Sequence, residues 1–384
     1  MVMDGLRRKV ALVGVDESDE LGYLPHKVAL QLHAEAARNA LADAGLKKDE
    51  VDGLFTAGVS TAVVAEYLGL RPRYTDTTTV GGASFLMHVE HAAAAIAAGL
   101  CQVALITHGQ TGYSNRSRGV RPAVDPTLPA AQFEAPYGVA GPPSVYSLAC
   151  TRHMHQYGTT HHQLAEIAVA TRKWATLNPK AMMRDPITIE DVLNSRWISY
   201  PFHLLDCCLV TDAGGAVVVT SAERARDLRK KPVYLLGCGE AHHHALISQM
   251  EDLTTMTAAQ VSGKQAFQMA GLGPKDIHVA EVYDSFTYTV LMSLEDLGFC
   301  AKGEGGAFVS GQRTAPGGNF PLNTSGGGLS YTHPGMFGIF TIIEAVRQLR
   351  GECGPRQVRG AQVVLCHGTG GSLSSAATLI LGTG

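Results

Sequence analysis

Short, continuous apolar runs alternate along this chain with longer segments that are predicted to be helical, as expected of an α/β protein. The runs that predict strands lie at residues 10–14, 102–107, 217–220, 233–237 and 362–365. The segments that predict helices lie at residues 88–98, 146–157 and 338–349. Because these strands lack alternating polar residues, we expect a sheet that is covered by helices on both faces.

The segment at residues 40–52 recurs at residues 266–278 as an internal repeat. Gly45 of the first copy corresponds to Gly271 of the second, and each copy is preceded by a predicted strand. Both copies have the pattern of a helix that ends at a glycine and is followed by a turn into a strand. The repeat indicates two similar α/β halves that are fused in tandem.

The repeat divides the chain into two predicted domains, residues 1–230 and residues 231–384. Within the first domain, prolines become frequent at about residues 110–200 and interrupt the alternation of strands and helices. We expect an inserted loop domain there, which is a common location for substrate contacts. With 384 residues, the chain is long enough for two such units.

The composition argues against several classes of function. The formal net charge of −3 offers no electrostatic basis for binding nucleic acid or an anionic membrane. No apolar run approaches the ~18 residues of a transmembrane helix, and the N-terminus lacks a secretory signal, so we expect a cytoplasmic protein. The eight cysteines include no Cys-x-x-Cys pair, and the histidine run at residues 242–244 is interpreted as a solvated loop, so no metal site is predicted.

Three segments of the second half place reactive side chains among glycines or turn residues. They lie at residues 283–286, 323–338 and 366–371. Glycine allows the backbone to approach a ligand closely, and tyrosine, histidine and cysteine can donate, accept or attack. Because each segment follows a predicted strand, we expect three loops that together form one active site.

The tandem halves and these motifs resemble the thiolase superfamily along nearly the whole chain. The segment at residues 326–335 is similar to the Gly-Gly…Gly-His-Pro loop of that family, and residues 366–370 are similar to its Cys-x-Gly-x-Gly loop. Residues 283–286 take the place of its Asn-Glu-Ala-Phe or His-Asp-Cys-Phe loop. The resemblance implies a five-layer αβαβα fold and a homodimer. We expect the apolar strand at residues 102–107 to form an edge in the dimer interface.

The chain departs from the family at the position of the nucleophilic cysteine. Thiolases place this cysteine seventeen residues before the glycine of an Ile-x-x-Gly turn. In this chain the glycine of the turn is Gly99, so the matching position is occupied by Gly82. No cysteine occurs within residues 1–100, and the nearby Ser84 is interpreted as a helix cap. Without a thiolate at a helix N-terminus, acyl transfer through a covalent thioester is not expected.

The missing nucleophile is a feature of the lipid-transfer-protein-type aldolases of steroid and bile-acid side-chain breakdown, which the chain resembles. These proteins carry a tyrosine at the start of a Tyr-Asp-x-Phe loop and another two residues before the loop histidine, which match Tyr283 and Tyr331. The resemblance implies retro-aldol cleavage of a β-hydroxyacyl-CoA, with the CoA thioester as substrate and no cofactor. It also implies a partner, a small OB-fold, zinc-ribbon subunit that binds acyl-CoA.

Retro-aldol cleavage needs a base for the β-hydroxyl, donors for the thioester enolate and an acid for Cα. Tyr283 and Tyr331 are the candidate base and acid, in either order, and His333 is the candidate donor to the enolate oxygen. Asp284 and His367 are further candidates. Asp284 is interpreted mainly as an acceptor that organises its loop, whereas His367 is left open between a catalytic and a structural role.

Two other functions stay open at this point. A thiolase-type acyltransferase would use Ser84, Cys366 or another cysteine and would pass through a covalent acyl-enzyme. A non-catalytic thiolase-fold subunit would bind acyl-CoA or support an active partner without turnover. The two matching tyrosines argue against the second alternative, because a pure scaffold gains nothing from them.

Overall fold

The computed structural model describes residues 5–117, 125–139 and 141–383 and shows alternating strands and helices. The strands are β1 (Val10–Glu17), β2 (Gly53–Thr56), β3 (Tyr74–Asp76), β4 (Val103–Thr111), β5 (Trp197–Ser199), β6 (Phe202–His203), β7 (Asp212–Ser221), β8 (Val233–His242), β9 (Val279–Val282), β10 (Val363–Gly370) and β11 (Ser375–Gly382). The helices are α1 (Ala29–Ala44), α2 (Thr61–Leu68), α3 (Ser84–Ala97), α4 (Gly112–Ser117), α5 (Pro129–Phe133), α6 (Pro142–Tyr157), α7 (His161–Thr176), α8 (Ile189–Leu193), α9 (Ala222–Ala225), α10 (Thr257–Ala270), α11 (Thr287–Asp296), α12 (Gly305–Val309) and α13 (Gly338–Arg350). Among the described residues, no helix combines the length and apolar character needed to span a membrane.

One mixed sheet contains nine strands of the described part of the chain, in the order β3-β2-β4-β7-β1-β8-β11-β10-β9. The first five strands of this order come from the first half of the chain and the last four from the second half. The halves meet where β1 and β8 pair in antiparallel fashion, with Ala11 opposite Tyr234 and Leu12 opposite Val233. β2 is parallel to both β3 and β4, and β9 is parallel to β10.

Two helices lie between the halves and form the central layer of the fold. α3 and α13 pack against each other, and each contacts strands of both halves. α1 packs on β1, β4 and β7, and α10 packs on β8 and β11. Along β7, Val217 and Val219 face the core around α3 and α13, whereas Ala216 and Val218 face α1. The layers are therefore α, β, α, β and α, which confirms the five-layer arrangement.

Each half packs its repeat helix onto its first strand at a glycine. A Cβ on Gly14 of β1 would lie 2.1 Å from the carbonyl oxygen of Ala40, and a Cβ on Gly237 of β8 would lie 2.1 Å from that of Ala266. Because glycine lacks this atom, the backbones of strand and helix approach closely. The same packing recurs in the two halves at residues of the sequence repeat.

Three expectations from the sequence are wrong in detail. The strand at residues 102–107 is not a sheet edge, because β4 lies inside the sheet between β2 and β7. Its apolar pattern arises because helices α1 and α3 both pack against it. The segment at residues 366–371 is not a loop, since β10 continues to Gly370 and pairs with β11 over its whole length. The helix predicted at residues 88–98 begins earlier, at Ser84.

The inserted region at about residues 110–200 contributes α4 to α8 in its described residues. α7 contacts a single turn of π-helix at Gly327–Tyr331, and α6 contacts α11. The insert thereby lies beside the motif-bearing segments of the second half.

Candidate active site

A cavity of about 810 Å³ lies between the inserted region and the second half of the chain. Residues from all three predicted segments line it, among them Tyr283, Ser285, Leu329, His333 and Thr369. The structure therefore brings the three segments together, although the third belongs to a strand end.

The Tyr283 hydroxyl and Nε2 of His333 are hydrogen-bonded at 2.7 Å. Tyr283 directly follows β9, and His333 follows the π-helical turn. Burial raises the pKa of Tyr283 well above its usual value and lowers the pKa of His333 to about 4, so both groups are neutral near pH 7. The phenol oxygen also lies 3.5 Å from the carbonyl oxygen of Gly335. In the tautomer that carries its proton on Nδ1, His333 accepts the phenol proton at Nε2, and the phenol oxygen can still accept a proton from a ligand.

The position that matches the missing nucleophile lies against the Tyr283 ring. Gly82 lines the cavity just before α3 begins. A Cβ built on Gly82 would lie 1.8 Å from Cε1 of Tyr283, far inside van der Waals contact. The ring of Tyr283 therefore fills the space that a cysteine side chain at residue 82 would need.

The buried carboxyl group of Asp284 holds the loop that carries His333. It accepts the backbone N–H of Gly328 at 2.6 Å and that of Leu329 at 3.1 Å. Gly327 has a φ of +57°, and a Cβ there would lie 2.1 Å from Asp284 Oδ2, so this turn requires glycine. Burial raises the pKa of Asp284 to about 7. Asp284 is not among the described residues that line the cavity, and its contacts are those of a loop-organising acceptor.

Tyr331 lies behind the cavity and is not part of its described lining. Its hydroxyl donates to the buried carboxylate of Glu17 at the end of β1. Glu17 is also paired with Arg347 at 2.6 Å and with Lys180 at 3.0 Å. Burial opposes ionisation of Glu17, but the charge and hydrogen bonds of Arg347 hold the pKa of Glu17 well below its usual value. The structure does not bring Tyr331 to the Tyr283–His333 pair, and its role in proton transfer stays a prediction.

His367 and Cys366 are buried in β10 and do not line the cavity in the described residues. Nδ1 of His367 is 2.9 Å from Thr378 Oγ1, and burial lowers the pKa of His367 to about 3. The Cys366 thiol lies 3.6 Å from the carbonyl oxygen of Thr341, and burial raises the pKa of this thiol well above its usual value. Neither side chain is presented to a ligand in the cavity.

Ser84 is the first residue of α3 and does not cap it. Its hydroxyl donates to the carbonyl oxygen of Gly81 at 2.7 Å and accepts the backbone N–H of Val80 at 2.9 Å. The side chain is fully buried and stabilises the turn before the helix. The interpretation of Ser84 as a helix cap is therefore wrong, because its hydroxyl bonds backwards along the chain.

Reactive side chains from outside the three predicted segments also line the cavity, among them Tyr113, Tyr146, Cys207 and Cys208. Tyr146 comes from α6 of the insert, and Cys208 comes from the segment before β7. The backbone N–H of Cys208 donates to the carbonyl oxygen of Ser285 at 3.0 Å, and burial raises the pKa of its thiol well above the usual value. A tyrosine inside an ordinary helical segment carries no local signal, so only the tertiary structure reveals Tyr146.

The described lining is cationic and apolar. It includes Arg116, Arg172 and Arg196 but no aspartate or glutamate. Much of the remaining surface consists of aliphatic side chains and prolines, namely Pro142, Pro143, Met183, Ile198, Leu204, Leu205, Leu209, Val210, Leu329 and Pro334. Such a lining suits a ligand that combines an apolar group with a polyanionic group.

Comparisons with known proteins agree with this architecture. Residues 239–383 match the family model described as thiolase C-terminal domain-like. The chain is 38% identical to 17-hydroxy-3-oxo-4-pregnene-20-carboxyl-CoA lyase of Mycobacterium tuberculosis, with 98% of this chain and 100% of that protein covered. It is 33% identical to an acetyl-CoA acetyltransferase of Methanothermobacter thermautotrophicus, with coverage of 97% and 99%. A solved structure of an Ltp2-ChsH2(DUF35) aldolase superposes with a TM-score of 0.90 at 34% identity and covers 98% of each chain. The chain therefore belongs to the thiolase superfamily.

Proposed function

We propose that this protein is a carbon–carbon lyase that cleaves a β-hydroxyacyl-CoA by a retro-aldol reaction into a ketone or aldehyde and a shorter acyl-CoA. The observation that carries this proposal is the contact between Tyr283 and Gly82. A phenol that is hydrogen-bonded to His333 fills the place of the nucleophile. The site thus offers a proton-transfer pair where a thiolase would hold its acyl group.

The Tyr283–His333 pair can carry both proton transfers. The β-hydroxyl gives its proton to the phenol oxygen of Tyr283 while the phenol proton passes to Nε2 of His333. The Cβ–O bond becomes a carbonyl as the Cα–Cβ bond breaks, and the electron pair of that bond forms the thioester enolate. The proton then returns through Tyr283 to Cα, so the pair ends neutral, as it began. The low pKa of His333 disfavours the imidazolium, and the negative charge of the enolate offsets that cost.

The substrate class that we propose is a steroid or bile-acid side chain linked to CoA. The lyase of Mycobacterium tuberculosis is named for a pregnene carboxyl-CoA. A cavity of about 810 Å³ lies in the upper part of the range of roughly 300–1,000 Å³ for ligand cavities and leaves room for a bulky acyl group. The lining arginines suit the phosphate groups of CoA.

We also propose a homodimer that works with a small OB-fold, zinc-ribbon subunit that binds acyl-CoA. The aldolase structure to which the chain is similar is named for two components, Ltp2 and ChsH2(DUF35). A second subunit that presents the CoA thioester would leave this chain to supply the proton-transfer groups.

One assay with two arms tests the proposed reaction, with the partner subunit supplied in both. We expect cleavage of a β-hydroxyacyl-CoA without added CoA, and no cleavage of a β-ketoacyl-CoA with CoA. Tyr283→Phe should lower the first activity by about 100-fold or more, because it removes the group that transfers the proton. The exposed Tyr67→Phe is the control and should cleave at the wild-type rate. Product that forms only when free CoA is added would identify thiolysis and contradict the proposal.

A further inference from the structure

A second phenol, that of Tyr146, reaches the same cavity from the insert. Its side chain is 5% exposed, its ring packs on Phe286 with centroids 5.0 Å apart, and its hydroxyl donates to the carbonyl oxygen of Gly371 at 3.3 Å. Burial raises the pKa of Tyr146 to about 12, against the lowering influence of the nearby Ser285 and Thr369 hydroxyls. The phenol is therefore a neutral hydrogen-bond donor, held at the cavity by a weak bond.

The Thr369 hydroxyl points to a ligand at this end of the cavity. Thr369 is 1% exposed and lines the cavity at the end of β10. Its Oγ1 interacts with the Tyr146 phenol, although not at the geometry of an ordinary hydrogen bond, and has no other hydrogen-bond partner within the described residues. A buried hydroxyl with an unfilled hydrogen bond is costly, so this one is placed to bind a polar atom of a ligand.

The Tyr283–His333 pair leaves one requirement of the reaction unmet. A retro-aldol cleavage needs donors for the thioester oxygen, where the enolate charge develops. Nε2 of His333 is engaged by the Tyr283 hydroxyl, so this nitrogen is not available for the enolate. The expectation that His333 donates to the enolate oxygen stays a prediction, and it requires this contact to open. Tyr146 and Thr369 supply two hydroxyl donors in the same cavity, and Tyr146 lies near enough to Tyr283 to influence its ionisation.

We propose that Tyr146 is a catalytic residue of the proposed lyase, which with the Thr369 hydroxyl donates hydrogen bonds to the thioester oxygen of the acyl-CoA. This inference rests on the proposed function and assigns the enolate site within it. When the Cα–Cβ bond breaks, its electron pair moves onto the thioester carbon–oxygen system, and the two hydroxyls stabilise the resulting charge without giving up their protons. Protonation at Cα by the Tyr283–His333 pair then restores the thioester carbonyl.

Kinetics of Tyr146→Phe are the first measurement, with the partner subunit present. We expect kcat for β-hydroxyacyl-CoA cleavage to fall by about 100-fold, because removal of one donor to a developing oxyanion typically costs that much. The KM should change by less than about threefold, since the donor acts mainly on the enolate. Tyr67→Phe is the control, because Tyr67 is exposed and lies outside the described lining of the cavity, and it should keep the wild-type kcat.

Binding of an enolate analogue is the second measurement and does not depend on turnover. The probes are the nitronate of a nitroalkyl dethia-CoA, whose anionic oxygens imitate the enolate, and an S-alkyl-CoA thioether that lacks this oxygen. Tyr146→Phe should weaken binding of the nitronate by about tenfold or more and binding of the thioether by less than about twofold. Thr369→Val keeps the shape of the side chain and should show the same selective loss, which secures the test if Tyr146→Phe does not fold.

The outcomes separate this inference from the proposed function. The assignment of Tyr146 to the enolate site would be overturned if Tyr146→Phe cleaved within about threefold of the wild-type rate, or if it weakened binding of the two probes equally. Either result would leave the proposed lyase activity intact. A wild-type protein that cleaves no β-hydroxyacyl-CoA would overturn the lyase. A selective loss of nitronate binding in Tyr146→Phe would in that case still support the oxyanion site.

Discussion

At the scale of single residues, the glycine at position 82 and the phenol of Tyr283 depend on each other. The ring lies where the first side-chain atom of any other residue at position 82 would have to lie, 1.8 Å from the built Cβ. The hydroxyl on this ring is the one that contacts His333. A cysteine side chain at position 82 and the observed position of the Tyr283 ring therefore exclude each other.

Gly82→Ala is expected to lower β-hydroxyacyl-CoA cleavage by about 100-fold, because the added methyl group displaces the Tyr283 ring and a misplacement of ~1 Å can cost that much. Gly82→Cys adds the same clash and should not thiolyse a β-ketoacyl-CoA. The control is Gly273→Ala, since the backbone there has a φ of −130° and the nearest atom to a built Cβ is 3.8 Å away. Wild-type turnover by Gly82→Ala would show that the ring position does not matter.

The pH dependence of turnover follows from the pKa values of the Tyr283–His333 pair. His333, with a pKa of about 4, accepts the phenol proton only above that pH, and Tyr283 stays protonated because its pKa is raised. We expect kcat to be nearly constant between about pH 5 and 9 and to fall as the pH decreases through about 4. The kcat should be measured only at pH values at which circular dichroism shows that the protein is folded. Asp284→Asn is the control for the nearby group with a pKa of about 7. A bell-shaped profile centred near neutrality in both proteins would contradict the assignment.

The sequence motifs identified Tyr283 and His333 but could not show that the Tyr283 ring lies against Gly82, which depends on the packing of the two halves. Tyr331 lies outside the described lining of the cavity for a local reason. Two residues apart in an extended chain, Tyr331 and His333 would point to the same side. Tyr331 instead ends a turn of π-helix, so its side chain leaves the cavity and reaches Glu17.

At the scale of elements, Tyr331 takes part in a buried link between β1, α13 and the motif loop. Glu17 at the end of β1 accepts from Tyr331 and is paired with Arg347 of α13. Each of these side chains is at least mostly buried, so removal of one partner leaves a charge poorly compensated. The link fixes the loop that also carries His333.

Tyr331→Phe is expected to lower the free energy of unfolding by about 1.5–3 kcal/mol, the range for a hydrogen bond to a charged group. Turnover should stay within about tenfold of wild type, because the hydroxyl does not line the cavity in the described residues. Urea unfolding and the cleavage assay measure the two effects, and the exposed Tyr67→Phe is the control for stability. A loss of turnover as large as that of Tyr283→Phe would instead establish Tyr331 as the second proton-transfer residue.

At the scale of the whole molecule, the repeat predicted two halves and the apolar strands predicted a sheet covered on both faces, whereas the five layers were implied by the resemblance to the thiolase superfamily. None of these patterns could predict how the two halves of the sheet join, because the pairing of β1 with β8 involves residues more than two hundred positions apart. The same limit explains the error about the edge strand. An apolar strand shows that both faces are covered, but it does not show whether both edges are paired.

The two ends of the sheet differ in a way that bears on the proposed homodimer. The outer edge of β9 is covered, since Ala280 donates to the carbonyl oxygen of Pro321 and accepts the backbone N–H of Asn323. The outer edge of β3 pairs with no strand within the described residues. An unpaired edge is a template for pairing with another chain, and a twofold axis at this edge would join two copies through the same surface.

Thr75, the exposed central residue of β3, is the position at which to test this interface. Thr75→Asp should raise the dissociation constant of the dimer by about tenfold or more, because a twofold axis at the strand centre places two carboxylates near each other. Thr75→Ser keeps a neutral hydroxyl and is the matched control. Sedimentation velocity at micromolar concentration measures both variants. A wild-type protein that sediments as a monomer would refute the dimer, and a dimer that is indifferent to Thr75→Asp would exclude β3 as its interface.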